Sequence, residues 1–209
     1  MKKIYYYIIF ALLITGLGSF FLYQQYNLIQ NKAYEELKIS TSVYLLDKAG
    51  RLVNPEDFYS ADSVSQNEVF GNLWKSIQSP EVVRIKIWNS DYKIIWSDLS
   101  ELIGKSFPNY EDVEEALDGE VELEIIRGNL KNESITERQY VELSEIYVPY
   151  ADNDGKIVGV IEIYQPTIIL RQTIQEDFYK TAIPIILLAI VGYFIIAVAL
   201  RFLLKSKLL

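Results

Sequence analysis

Two uncharged apolar runs, Ile4–Tyr23 and Thr181–Leu200, each twenty residues long, bracket the chain. Between them the period of the apolar positions changes twice. Tyr26, Ile29, Ala33 and Leu37 recur at spacings of three and four, which predicts a helix over Gln24–Leu46 that continues the first run. Asp47-Lys48-Ala49-Gly50 reads as its stop, and Asn54-Pro55-Glu56-Asp57 as a loop or short helical turn. Phe70, Leu73, Trp74 and Ile77 share one face of a second helix, Asn67–Gln78, which Ser79-Pro80 ends. The period then falls to two. In Val82–Trp88, Val83, Ile85 and Ile87 alternate with Arg84, Lys86 and Trp88. Asn89-Ser90-Asp91 turns that strand into Tyr92–Ser97. A loop through Leu102-Ile103-Gly104-Lys105 and a short helix, Asn109–Leu117, closed by Asp118-Gly119, lead to a strand at Val121–Arg127. After a polar loop, Gly128–Glu137, come strands Tyr140–Tyr150 and Lys156–Gln165, joined by the turn Asp152-Asn153-Asp154-Gly155. Pro166 ends the last strand and opens a helix that runs without a stop into the second apolar run. The expected class is α+β: one domain with a five-stranded antiparallel sheet, a long N-terminal helix and two flanking transmembrane helices.

Twenty apolar residues in a helix match a hydrocarbon core of about 30 Å. The first run is longer than a signal-peptide core and shows no A-x-A site, so it reads as an uncleaved anchor. Lys2 and Lys3 precede the first run, and Arg201, Lys205 and Lys207 follow the second, with no acid at either end. The positive-inside rule then makes residues 1–3 and 201–209 cytoplasmic tails, 4–23 and 181–200 the two spans, and 24–180 extracytoplasmic. Five of the 20 bases lie at the ends, so the outer segment sets 15 bases against all 28 acids, a net charge near −13. Such a surface suits neither nucleic acid nor an anionic lipid face. The expected place is the cell membrane, with lipid around both spans.

The chain has neither Cys nor His. That removes Cys/His metal sites and the Ser-His-Asp and Cys-His nucleophiles, and no paired-carboxylate site can be placed, so neither an enzyme nor a cofactor is expected. Asp152-x-Asp154-Gly155 resembles the start of a calcium loop, but lacks the third ligand position and the closing Glu, and reads as a hairpin turn. The acids Glu111, Asp112, Glu114, Glu115, Asp118, Glu120, Glu122 and Glu124 read as a solvated face. Glu162, inside an apolar strand, reads as an edge residue or the anchor of a buried network. Asn132-Glu133-Ser134 fits a glycosylation sequon that is common by chance. Trp88, Trp96, Ser97, Asp98, Tyr147 and Tyr150 lie on or beside the sheet, with Arg84 and Lys86 on the alternation face of Trp88. Aromatic walls with a few polar groups make a small-ligand pocket, in which Arg84 would meet a ligand carboxylate; equally, such aromatics pack cores.

The runs Val83–Asn89, Ile95-Trp96-Ser97-Asp98, Leu102–Lys105 and Ala116–Glu120, then Ile146–Tyr150 and Gly155–Glu162, taken in this order, resemble the extracytoplasmic Cache (PAS-like) sensor domains. Such domains sit between two spans in bacterial sensor histidine kinases, diguanylate cyclases and chemoreceptors. The resemblance implies a curved antiparallel sheet, a long N-terminal helix and a pocket for a small ligand, often a carboxylate or amino acid. Carried over by position, it places Arg84, Trp88, Trp96, Ser97, Asp98 and Tyr147 near that pocket. The expectation is a sensor, and a homodimer, that relays a conformational change through its second span. Arg201–Leu209 holds no linker, kinase, cyclase or methyl-accepting region, so the expected output lies on a separate signalling partner. The alternative is a non-catalytic membrane interaction subunit, or the remnant of a sensor kinase or cyclase.

Overall fold

The structure is a computed structural model and describes residues 2–60, 63–108, 110–127 and 140–205. In chain order the elements are α1 (Lys2–Leu52), α2 (Ser63–Ile77), β1 (Arg84–Asn89), β2 (Ile94–Ser97), α3 (Glu111–Leu117), β3 (Glu122–Arg127), β4 (Glu142–Ala151), β5 (Ile157–Pro166) and α4 (Ile168–Lys205). Short 3₁₀ turns at Pro55–Phe58 and Ser100–Leu102 fill two of the connections. The five strands form one antiparallel sheet of order β2-β1-β5-β4-β3, so the class is α+β as the alternation predicts. The expected loop Gly128–Glu137 and the Asn132-Glu133-Ser134 sequon lie outside the described residues.

Two expectations are corrected. Asp47-Lys48-Ala49-Gly50 does not stop the first helix, which continues to Leu52. Leu37, Thr41, Leu45, Ala49 and Val53 recur every fourth residue, and the last four are buried. That stripe, with the Arg51–Asp47 ion pair at 2.7 Å one turn apart, outweighs the helix-breaking tendency of Gly50. Pro166 does not start the last helix either. It closes β5 opposite Leu143, and α4 begins at Ile168.

By its contacts the chain forms two compact units, Met1–Ala33 with Leu170–Leu209, and Tyr34–Ile169. In the first, Tyr26 and Phe178 meet edge to face with centroids 5.5 Å apart. The Tyr193 hydroxyl bonds that of Thr15 and donates to the Ala11 carbonyl at 3.1 Å. Two helices, Tyr5–Leu52 and Ile168–Phe202, are long and apolar enough to cross a membrane. They fit a membrane protein with a folded domain between its spans.

In the second unit, one face of the sheet carries Ile85, Ile87, Trp96, Ile146, Val148, Ile161 and Ile163. It buries them against Leu45 and Ala49 of α1 and Phe70, Leu73 and Ile77 of α2. Phe58 stacks on Tyr150 at 5.2 Å, and the Tyr150 hydroxyl donates to the Val53 carbonyl at 2.7 Å, which ties the exit of α1 to β4. Gly159 is the point of closest approach. A Cβ there would collide with the Phe58 ring and with the backbone carbonyl of Trp88. The turn before β5 needs a second glycine, Gly155, at φ 83°. Asp152 organises that turn: its Oδ1 accepts from the N–H groups of Asp154 and Lys156, both at 2.9 Å. The hairpin reading of this motif therefore has a structural cause. Among the described residues no cluster of acids is placed to hold a metal ion.

Gly159→Ala is expected to destabilise the domain by about 1–3 kcal/mol, because the new methyl meets backbone on one side and a packed ring on the other. Denaturant unfolding followed by tryptophan fluorescence checks this.

Candidate functional site

The opposite face of the sheet is polar, aromatic and buried. Pairing sets Lys86 of β1 opposite Glu162 of β5, and Glu162 opposite Tyr147 of β4. One row along, Arg84 faces Tyr164, and Tyr164 faces Glu145. Residues directly opposite in antiparallel strands share a face, so these side chains converge. Trp88, Val160 and Tyr147 at one end pack under Val113 and Ala116 of α3 and under Leu102.

Glu162 is fully enclosed, with 0% exposure, and is completed from two sides. Lys86 Nζ lies 3.1 Å from its Oε1, and Trp88 Nε1–H donates to its Oε2 at 2.6 Å. Lys86 also donates to the Tyr164 hydroxyl at 2.5 Å and sits 5.0 Å from that ring's centroid. Charge, hydrogen bonds and cation–π contact together offset the desolvation that a buried ion pair otherwise costs. Glu145 joins the same cluster. The Tyr147 hydroxyl donates to its Oε2 at 2.7 Å and lies 3.2 Å from the Tyr110 hydroxyl. Burial first, and then the Glu162 charge, pushes the Glu145 carboxyl up to about 7. Burial pushes the Tyr147 and Tyr110 phenols up as well. Tyr110 stacks on Trp88 with centroids 6.0 Å apart, and Phe107 meets Trp88 edge-on at 5.8 Å.

Of the six residues singled out in the sequence, Trp88 and Tyr147 lie within this cluster and Arg84 in its next row. Ser97 and Asp98 brace β1 instead. Ser97 Oγ donates to the Ile85 carbonyl at 3.0 Å, and Asp98 Oδ1 accepts from Ile85 N–H at 3.1 Å. Asp98 also lies 3.8 Å from Arg84 Nε, and its burial raises its carboxyl above the ordinary range. Trp96 stands on the other face, opposite Ile87. It packs near Phe70, and its Nε1–H donates to Asn67 Oδ1 at 2.8 Å. Glu145, Tyr164 and Tyr110 were not singled out in the sequence. Glu145 shares alternation parity with Tyr147, and Tyr164 with Glu162, so the strand pattern held that signal. Tyr110 falls within the predicted short helix Asn109–Leu117, but α3 begins at Glu111 and leaves Tyr110 ahead of it, free to face the sheet.

No protein-family model and no curated protein sequence matches the chain. Among solved structures, the E. coli DcuS sensor domain is similar at 18% identity and TM-score 0.41, covering 67% of this chain and 98% of that one. The V. cholerae histidine kinase DctB sensor domain is similar at 17% and 0.42, covering 72% and 61%. An extracellular ligand binding receptor from Desulfohalobium retbaense is similar at 13% and 0.44, covering 71% and 26%. At these identities and scores, likeness says nothing about ligand or partner. A five-stranded antiparallel sheet behind a long N-terminal helix is, however, the arrangement that the sequence resemblance implies.

Lys86→Met is expected to be strongly destabilising, by about 3–5 kcal/mol, because it leaves Glu162 charged and enclosed. The double variant Lys86→Met with Glu162→Leu should recover most of that loss. Urea unfolding of the single and double variants measures the coupling.

Proposed function

We propose that this protein is a membrane-anchored sensor, with residues 4–23 and 181–200 crossing the bilayer, both tails in the cytoplasm and residues 24–180 outside. The flanking cations Lys2, Lys3, Arg201, Lys205 and Lys207 support that orientation. One observation carries the relay. Glu162 and Tyr164 belong to the buried cluster, their strand ends at Pro166, and a single residue, Thr167, separates it from α4. Thr167 is held to β4, with its hydroxyl donating to Glu142 Oε2 at 2.7 Å. A small ligand on the α3 side of the sheet, against Trp88, Tyr147 and Arg84, would shift β5 and thereby α4.

The charge pattern bears on the ligand. Lys86 and Arg84 each have an acid beside them, Glu162 and Asp98, and Glu145 adds a further carboxylate. An ammonium group among aromatic rings suits such a site better than a bare carboxylate does, so an amino acid is favoured. Thermal melting of the full chain in detergent, with a panel of amino acids, amines and carboxylates, tests this. A ligand at about 100-fold its Kd should stabilise by about 2.7 kcal/mol, and Trp88→Ala should remove the effect. No stabilisation by any compound would overturn the ligand reading.

The partner we propose for α1 is a second copy of this chain. Ile39, Val43 and Leu46 recur at four and three and stay exposed, Ile39 at 62% and Val43 at 64%. A helical stripe of this kind suits packing across a two-fold axis. The chain is free of cysteine, so Val43→Cys gives a single reporter. Oxidation in membranes should yield a covalent dimer from Val43→Cys and little from Lys156→Cys, as read on non-reducing gels.

A further inference from the structure

Glu145 and Glu162 point from neighbouring strands onto one buried face, where Lys86 pairs with Glu162 and its charge also reaches Glu145. Their partners differ in kind. Glu162 holds the Lys86 ammonium and the Trp88 indole N–H. Glu145 is held by phenols, those of Tyr147 and Tyr164. A phenol hydroxyl serves an ionised carboxylate as donor and a protonated one as acceptor, whereas ammonium and indole groups only donate. The environment of Glu145 thus accommodates both protonation states.

We propose that Glu145 is a proton-binding site, through which the domain responds to the acidity of the medium around it. The inference deepens the sensor reading by making the proton itself a ligand of the same cluster. The change it produces is a reversal along a hydrogen-bonded chain. With Glu145 ionised, Tyr147 donates to it and accepts from Tyr110. With Glu145 protonated, the carboxyl donates to Tyr147, and Tyr147 donates to Tyr110, 3.2 Å away at the entry to α3. No atom other than a proton moves between molecules, and the proton comes from solvent.

The groups facing Glu145 are compatible with this. From β1 come Lys86 and, in the row of Glu145, Arg84; from β5, Glu162 and Tyr164. Glu124 of β3 is paired directly opposite, and Glu122 lies one row along, opposite Tyr147. From α3 the inward residues are Val113 and Ala116, while Glu111, Glu114 and Glu115 are exposed. Burial is the first cause that disfavours a charge on Glu145, and the neighbouring Glu162 carboxylate adds to it, while Lys86 opposes both. The Glu145 carboxyl accordingly lies at about 7, above its ordinary 4.5. A folded-state value raised above the unfolded one stabilises the fold fully below the unfolded value. That contribution declines as pH rises from about 4.5 and is lost once pH has passed about 7.

The test is a pH series on the full chain in detergent, reading Tm and tryptophan emission. The wild type should show Tm falling as pH rises from about 4.5 to about 7 and levelling off above. Its emission should shift with a midpoint near pH 7, reported by Trp88 on the shared Glu162. Glu145→Gln, a mimic of the protonated state, should abolish both transitions and match or exceed the wild-type Tm on the alkaline side. Carbon-13 NMR of glutamate-labelled wild type supplies a second readout that no variant's misfolding can blur, with one carboxyl expected to titrate near 7. An unchanged transition in Glu145→Gln, or no carboxyl titrating above the ordinary glutamate range, would overturn the proposal. The metabolite panel fails or succeeds separately. A pH transition without any metabolite shift leaves the proton site standing and ends the amino-acid reading, and the converse result does the reverse.

Discussion

A charged pair sealed between strands is costly unless the surroundings complete it, and much of this domain is arranged to do so. Lys86 and Glu162 meet across β1 and β5, the strands at the middle of the sheet. Trp88 and Tyr164 supply the remaining hydrogen-bond partners from the same two strands. The pair also fixes register. A slip of one residue would turn Glu162 toward Phe70 and Leu73 and lift Ile161 or Ile163 into the polar cluster. Gly159, wedged between the Phe58 ring and the Trp88 carbonyl, guards the same register from the other end of β5. Sterics and electrostatics thus specify one alignment of one strand.

Much of this was legible in the chain because strand alternation is a strong signal. The parity of Arg84, Lys86 and Trp88 against Ile85 and Ile87 assigned both faces of β1 before any pairing was known. Glu162 stood out as an acid among apolar residues, and the buried network was one of the two readings it allowed. What the pattern could not supply was register between strands. Trp96 and Trp88 both belong to the first hairpin, yet an irregularity between Ile87 and Trp88 puts Trp96 opposite Ile87 and against α2. Ser97 and Asp98 look like ligand groups in isolation, and both are taken up by the backbone of Ile85. The misplaced end of α1 has a different cause. Local sequence signals a stop at Gly50, while Ala49 and Val53 extend a stripe whose burial outweighs it, and that burial depends on a sheet formed later in the chain.

The two faces of the sheet divide the work. One packs mostly aliphatic side chains against two helices and supplies stability with few polar atoms to satisfy, those of Trp96 and Tyr150 being bonded to Asn67 and Val53. The other concentrates two acids, a lysine and several tyrosines under a short helix, where each group depends on its neighbours. Networks of this sort are sensitive to small changes because a low dielectric strengthens every term, favourable or not. A polar network backed by a rigid apolar layer combines responsiveness with a fixed frame.

Thr167 has one more consequence. A connection of a single residue, held to Glu142 on one side and opening α4 on the other, has little conformational freedom in which to absorb a displacement. Any coupling through it must therefore be reciprocal. Whatever free energy an event at the polar face exerts on α4, a constraint placed on α4 returns to that face in equal measure. A protein engaging the distal end of the helix would then tune the affinity of the polar face for any ligand it takes, by the same factor that the ligand tunes the engagement.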